Sequence, residues 1–184
     1  TSSNIVETGT HYDIGNLQLS QTYIVTATDD LCGDISSNEL TIEVLPQLQA
    51  PVIFSTNDGE SICYNTSAGE ITELLPATGG TGEFSIQWYS VDNNGATSIV
   101  GDDDIAYLPP TIIDTTQYFA IYTSDYECGS VTSNIITVNV LPDYEMPLLT
   151  PSIYGDICFG YDLTIDALGF ETFPWLEYEW YIHD

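Results

Sequence analysis

The feature that most constrains this chain is a stretch that occurs twice. Tyr118 to Pro142 reads YFAIYTSDYECGSVTSNIITVNVLP, and Tyr23 to Pro46 reads YIVTATDDLCGDISSNELTIEVLP. From the cysteine onward the register is unbroken: Cys32-Gly33, Ser37-Asn38 and Leu45-Pro46 precede Cys128-Gly129, Ser133-Asn134 and Leu141-Pro142 by 96 residues. The later strand of each copy alternates. Leu40, Ile42 and Val44 face one way and Thr41 and Glu43 the other, matching Ile136, Val138 and Val140 against Thr137 and Asn139. A period of two means a strand with one buried and one wet face. Each copy therefore predicts a closing β-hairpin with its cysteine at the turn and a Leu-Pro stop.

The repetition reaches further. Tyr12 stands before Tyr23 at the spacing that separates Tyr107 from Tyr118, and Ile5-Val6 answers Ile99-Val100. Downstream, Ser61-Ile62-Cys63 answers Asp156-Ile157-Cys158, and Trp88-Tyr89 answers Trp180-Tyr181. A period near 95 exceeds the roughly 20–50 residues of a solenoid unit and suits small domains in tandem. The phase predicts three pieces: 1–46 as the back end of one repeat, 47–143 as a complete repeat, and 144–184 as the front of a third. The expectation is a piece of a longer chain.

A unit of this size can bury a modest core of its own, and no stretch approaches the roughly 18 apolar residues of a membrane span. The charge balance is extreme, with 28 acidic residues and no lysine or arginine. Salt bridges are essentially impossible, so carboxylates must be held by water, backbone N–H groups, bound cations or protonation. Nucleic-acid binding through phosphate neutralisation is excluded as a function class, and docking on an anionic membrane surface is disfavoured in the same way. Acidity of this kind keeps a long chain soluble and self-repelling. The four cysteines recur at fixed repeat positions without a CxxC or Cys/His cluster, which favours disulfides in an oxidising, extracellular setting over metal.

Within the complete repeat, Pro51–Thr56 reads as a first strand and Asn57-Asp58-Gly59 as a turn. Ser61–Asn65 reads as an edge segment and Glu70–Leu75 as a second core strand. Gly79-Gly80-Thr81-Gly82 is expected to be a flexible loop. Phe84–Val91 alternates and places Trp88 in the core; Asn94-Gly95 signals a tight hairpin. Ser98–Val100 and Ile105–Leu108 are short strands about an Asp102-Asp103-Asp104 turn. After the Pro109-Pro110 break, Thr116–Ser124 and Val131–Val140 close the sheet. Seven or so short strands without helical period predict an all-β fold: tandem immunoglobulin-like antiparallel β-sandwich repeats of about 95 residues.

Cys63 with the following Gly-Glu-Ile-Thr strand, ATGGTGEFSIQWYS, the IAYLPP and TTQYF segments, and Cys128-Gly with SNIITVNV together resemble the Ig-like repeats of giant Bacteroidota cell-surface adhesins, the SprB-type gliding adhesins among them. The resemblance covers the middle repeat and, more weakly, both flanking pieces. It implies export by type IX secretion, display on the bacterial cell surface, and a part in adhesion or gliding motility. The partners it implies are neighbouring repeats and an unknown surface or glycan ligand.

The candidate sites follow. In an Ig-type sandwich Cys63 lies at the end where the chain leaves and Cys128 where it enters. A strand of eight residues spans about 26 Å, whereas a disulfide needs Cα atoms roughly 4.4–6.8 Å apart. One reading pairs Cys63 with the hairpin cysteine of the next repeat, beyond residue 184, and Cys128 with the previous repeat, Cys158 and Cys32 being their aligned counterparts; an intradomain bond or free thiols are the alternatives. Calcium is the one cofactor considered, at Asp102, Asp103 and Asp104, with Asp29-Asp30, Asp125 with Glu127, and Asp58 with Glu60 as further acidic loops. None has EF-hand spacing, and solvated turns are the competing reading. Asn65-Thr66-Ser67 fits an N-glycosylation pattern, and Asp114-Thr115-Thr116 resembles the Bacteroidota O-glycosylation acceptor, which would put a sugar on Thr115. No catalytic residue is expected: His11 aligns with Ala106 and has no nucleophile partner, and His183 stands alone. Trp88, Tyr89, Trp175, Tyr178, Trp180 and Tyr181 are aromatics able to stack on sugars; Trp88 and Trp180 align, and an aligned tryptophan is more often core. Three functions compete: adhesive spacer repeat, carbohydrate-binding accessory module of a secreted enzyme, and subunit of a surface filament or layer.

Overall fold

The computed structural model describes residues 6–126, 128–143, 148–168 and 177–183, with only the backbone of Asp102. The chain divides into two compact units, Thr1–Val140 and Leu141–Asp184. Every regular element among the described residues is a strand. The fold is all-β, built from antiparallel sheets, as the alternating sequence predicts.

The first unit begins with β1 (Gln21–Tyr23), β2 (Thr26–Asp29), β3 (Gly33–Ser36) and β4 (Leu40–Ile42). β1 pairs with β4, placing Tyr23 opposite Leu40, and β2 pairs with β3. Eleven strands follow: β5 (Val52–Phe54), β6 (Ser61–Ile62), β7 (Thr66–Ser67), β8 (Ile71–Leu75), β9 (Phe84–Val91), β10 (Thr97–Asp102), β11 (Ala106–Tyr107), β12 (Thr111–Ile112), β13 (Thr116–Ser124), β14 (Ser130–Thr132) and β15 (Ile136–Val140). One sheet runs β10-β9-β13-β15-β6, with β14 also on β13; a second runs β11-β8-β5; β12 and β7 form a separate ribbon. Among the described residues all pairings are antiparallel except β15 with β6, which is parallel.

The core lies between the two larger sheets, giving a β-sandwich-like body. Ile53 and Ile71 from β5 and β8 belong to one cluster with Ile86, Trp88, Tyr118, Ala120, Tyr122, Ile136 and Val138. On β13 the buried positions are Tyr118, Ala120, Tyr122 and Ser124, every second residue. Trp88 is wholly buried, stacks on Tyr107 with ring centroids 5.9 Å apart, and donates its Nε1–H to the Asp104 carbonyl at 2.8 Å. A buried indole satisfied in this way adds its large apolar area without leaving an unpaired donor.

The predicted strand Val131–Val140 is in fact two, β14 and β15, because Ser133 and Asn134 intervene. Ser133 donates its N–H to the Ala120 carbonyl and accepts the Ala120 N–H on Oγ, both at 2.9 Å, then donates Oγ–H to the Asn134 carbonyl. Asn134 reaches to the other sheet: its Oδ1 accepts the Ile53 N–H at 2.7 Å and its Nδ2 donates to the Ile53 carbonyl at 3.0 Å. One side chain thus supplies β5 with a missing pair of ladder bonds. The short strands β7 and β12 also lie outside the predicted set, Pro109-Pro110 having read as a simple break.

Upstream the same geometry recurs. Ser37 donates its N–H to the Val25 carbonyl at 2.8 Å, accepts the Val25 N–H on Oγ at 3.0 Å, and donates Oγ–H to Asn38. Tyr12 and Tyr23 stand 5.9 Å apart at 54°, and Tyr107 and Tyr118 stand 6.0 Å apart at 48°. Asn38 differs, donating to the Glu39 carbonyl next to it. In the second unit β16 (Leu148–Pro151) pairs with β17 (Ile165–Leu168), setting Leu148 opposite Leu168 and Leu149 opposite Ala167. Counted back by 95 residues, these are the pairs Ile53–Glu73 and Phe54–Thr72 that join β5 to β8.

Without cationic side chains on lysine or arginine, carboxylates hold backbone N–H groups. Asp58 accepts from Thr137 at 2.9 Å, Asp92 from Asn94 and Ala96 at 2.9 and 2.8 Å, and Asp29 from Leu31 and Cys32 at 2.9 and 2.7 Å. The two bonds on Asp29 hold its carboxyl below the usual aspartate range, Cys32 contributing most.

The Gly79–Gly82 loop departs from expectation. Gly80 donates its N–H to the Pro46 carbonyl at 2.8 Å, and Gln49 and Thr78 exchange backbone bonds of 2.8 and 3.3 Å. A loop tied by three backbone bonds to the preceding segment is anchored, not free.

Candidate functional site

The cysteines are placed by the strands that flank them. β6 runs parallel beside β15 with Ile62 opposite Val140, so Cys63 lies at the end where the chain leaves the sandwich. Cys128 sits in the turn between β13 and β14, beyond Ser124, whose side chain adjoins Gly80 and through it Leu48, where the chain enters. β13 pairs with β15 near its start, Thr116 opposite Val138, and ends at Ser124. Those eight steps separate the two ends by about 26 Å, several times the Cα separation of roughly 4.4–6.8 Å that a disulfide tolerates. Cys63 and Cys128 therefore do not meet within this sandwich. Cys32 and Cys158 occupy corresponding turns, and all four thiols are exposed and unpaired.

The acidic turn is structural in its described parts. Asp103 has a φ of 49°, donates its N–H to the Ile86 carbonyl at 2.7 Å and accepts the Ile86 N–H on Oδ1 at 3.2 Å. Its carboxylate thereby finishes the β9–β10 ladder. Asp104 serves Trp88 through its carbonyl. The Asp102 side chain and all of Glu127 lie outside the described residues. Among the described residues no group of three or more His, Cys, Asp and Glu side chains could hold a metal ion.

At the glycosylation candidates, Asn65 is an exposed turn residue at φ 56° whose N–H bonds the Ile112 carbonyl at 2.9 Å. Thr115 is half-buried, and its Oγ1 accepts the Val140 N–H at 3.2 Å, so that hydroxyl already caps the last strand.

One cleft of about 530 Å³ opens beside the core, lined by Glu70, Trp88, Gly101, Asp104, Tyr107 and neighbours. Its floor is aromatic, but Trp88 gives it no open ring face. Two carboxylates, Glu70 and Asp104, border it together with the Tyr107 ring, and its lining holds no histidine, cysteine, serine or threonine. His11 and His183 are exposed and neither lines it.

On the opposite, outer face of the large sheet, Tyr89 and Phe119 stack across strands with centroids 5.1 Å apart and planes within 9°. Of the remaining aromatics considered for sugar stacking, Trp180 and Tyr181 are exposed, Tyr178 is exposed with an interaction of its own, and Trp175 lies outside the described residues.

Two buried tyrosines carry perturbed hydroxyls. Burial, with Tyr107 adding to it, pushes Tyr118 up to about 12. Tyr122 is raised further, first by burial and then by the Glu73 carboxyl; its Oη has no partner of hydrogen-bonding geometry. Burial thus holds both hydroxyls in their neutral form.

Residues 54–142 match a family described as a domain of unknown function (DUF8696). The matched stretch runs from the end of β5 past β15 and so takes in most of the sandwich. No curated protein matches the chain.

Asn134 and Ser133 carry more of the fold than the sequence reading assigned to them. The signal was present, since Ser-Asn recurs at a fixed distance from the turn cysteine in both copies. What the spacing lacked was the partner, because Ile53 lies 81 residues upstream.

Proposed function

We infer that the chain is a non-catalytic structural and adhesive repeat segment of a very long bacterial cell-surface adhesin, extending a filament for surface attachment or gliding motility. The observation that carries this reading is the return of the same hydrogen bonds and ring contacts at 95–96-residue intervals, Ser37 with Val25 as Ser133 with Ala120, and Tyr12 with Tyr23 as Tyr107 with Tyr118. Repeated units with the same local geometry and no repeated reactive cluster build length, not chemistry. The immunoglobulin assignment is supported by strand order: β10-β9-β13-β15 against β11-β8-β5 follows the C′CFG and ABE arrangement. An extracellular, surface location fits a chain of net charge −28 with exposed cysteines at both ends of its sandwich. In this reading those cysteines form staples between repeats, and calcium or a glycan at Thr115 or Asn65 is an addition to the scaffold.

A second reading, a carbohydrate-binding accessory module, rests on the Tyr89–Phe119 stack, flanked by Gln87 and Gln117 on strands without a carboxylate. The two readings separate by experiment. Antibody raised against residues 47–140 is expected to label intact producing cells, protease-sensitively, and deletion of the repeat region is expected to reduce attachment to glass. Label confined to lysed cells would end the adhesin reading. Saturable binding to a glycan array, lost in Tyr89→Ala, would establish the module reading instead.

A further inference from the structure

The segment Pro46–Gln49 is where the first hairpin copy hands over to the sandwich, and it is the segment the glycine loop holds. Pro46 fixes its own φ near −65° and gives its carbonyl to the Gly80 N–H at 2.8 Å. Three residues on, Gln49 and Thr78 form an isolated antiparallel bridge with a bond in each direction.

Between those anchors the backbones approach too closely for any side chain. A Cβ on Gly79 would lie 2.1 Å from the Gln47 carbonyl oxygen and 3.0 Å from the Leu48 Cα. A Cβ on Gly80 would lie 2.2 Å from the Ser124 Oγ and 3.0 Å from a Leu48 methyl. Both glycines also have positive φ, 91° and 56°, which disfavours any other residue. Ser124 is almost wholly buried at the end of β13, and its N–H bonds the Gly129 carbonyl at 3.0 Å across the cysteine turn. The loop is thus packed against the central strand of the sandwich on one side and the junction on the other.

We propose that the Thr78–Gly80 loop is a docking site for the segment that precedes the sandwich and locks the joint between the two repeat copies at one angle. The joint is then a fixed elbow. Its occupant is the chain's own Pro46–Gln49, recognised by backbone hydrogen bonds and by the absence of side chains at Gly79 and Gly80, so composition of the linker matters little beyond Pro46 and Leu48. The inference rests on reading residues 1–46 and 47–143 as successive repeats.

The native thiols supply the test. Spin labels on Cys32 and Cys128, in the full chain carrying Cys63→Ser and Cys158→Ser, report one distance across the joint by pulsed electron–electron resonance. A single narrow distance distribution is expected. Gly80→Val should broaden it at least twofold while the fluorescence of Trp88, read with Trp175→Phe and Trp180→Phe also in place, stays that of the folded core. Leu48→Gly, which leaves the loop intact, should broaden it less. A broad distribution in the parent chain would overturn the proposal, and so would a distribution unchanged by both variants in folded protein. Cell-surface labelling is indifferent to either result, so failure here leaves the adhesin reading to its own test.

Discussion

The two hairpins, residues 6–46 and the matching part of 47–140, share their pairing, their Ser-Asn bonds and their tyrosine contact, yet differ completely in burial. Ala120 and Ile136 are sealed, whereas their counterparts Val25 and Leu40 are 65 % and 57 % exposed. Hairpin geometry therefore comes from local sequence, from alternation, turn residues and a serine that closes its own bond pair. Burial comes from elsewhere, from β5, β8 and β9. Asn134 and Asn38 make the difference visible at one atom pair: the first bridges to Ile53, the second turns back on its neighbour.

That contrast can be broken most forcefully at the aligned tryptophans. Trp88→Ala should remove about 3–5 kcal/mol and collapse the cooperative urea transition of the sandwich, whereas Trp180→Ala, at an exposed position, should leave that transition in place. Equal losses from both would mean that Trp180 is packed in solution as Trp88 is. The asparagines give the next largest contrast. Asn134→Ala leaves the Ile53 N–H and carbonyl unpaired in the core, at a cost of about 1–3 kcal/mol, while Asn38→Ala should stay within about 0.5 kcal/mol; chemical denaturation of each variant measures both.

Alkali sharpens the comparison at Tyr118. The folded state holds the Tyr118 proton up to about 12 against an ordinary value of 10.0. The unfolded chain therefore loses that proton first, so the stabilisation is complete below pH 10 and declines as pH rises toward 12. Tyrosinate absorbance should show Tyr118 and Tyr122 ionising only with unfolding, a delayed step about halved in Tyr118→Phe. The smallest effect is expected at Tyr122→Phe, which deletes a buried hydroxyl with no good partner and should be neutral or mildly stabilising. A loss above about 1 kcal/mol would show that Glu73 or a bound water satisfies it.

Much of this fold was legible in the residues. Phe84–Val91 and Thr116–Ser124 were read to the residue, Trp88 was placed in the core, and the cysteine turns fell where the alternation ended. Three features escaped, all for the same reason. The break at Ser133-Asn134, the two-residue strands β7 and β12, and the anchoring of Gly79-Gly80 depend on partners far along the chain. Short-range pattern shows which face of a strand is apolar; it cannot show which distant carbonyl a side-chain amide will meet. Glycine pairs carry a particular ambiguity, since the freedom that suits a mobile loop also permits two backbones to touch.

The parallel pairing of β6 with β15 has a mechanical consequence. The chain enters at one end of the sandwich and leaves from β15 at the other, so tension applied to its two ends pulls these neighbouring strands lengthwise in opposite directions. The Ser61–Asn139 and Ile62–Val140 rungs, braced by the Asp58 carboxylate on Thr137 and the Asn139 amide on Gly59, are then loaded in shear and must yield together, not one after another as in an unzipping hairpin. Tension on such a chain would strain that short seam before it reached the tryptophan beneath.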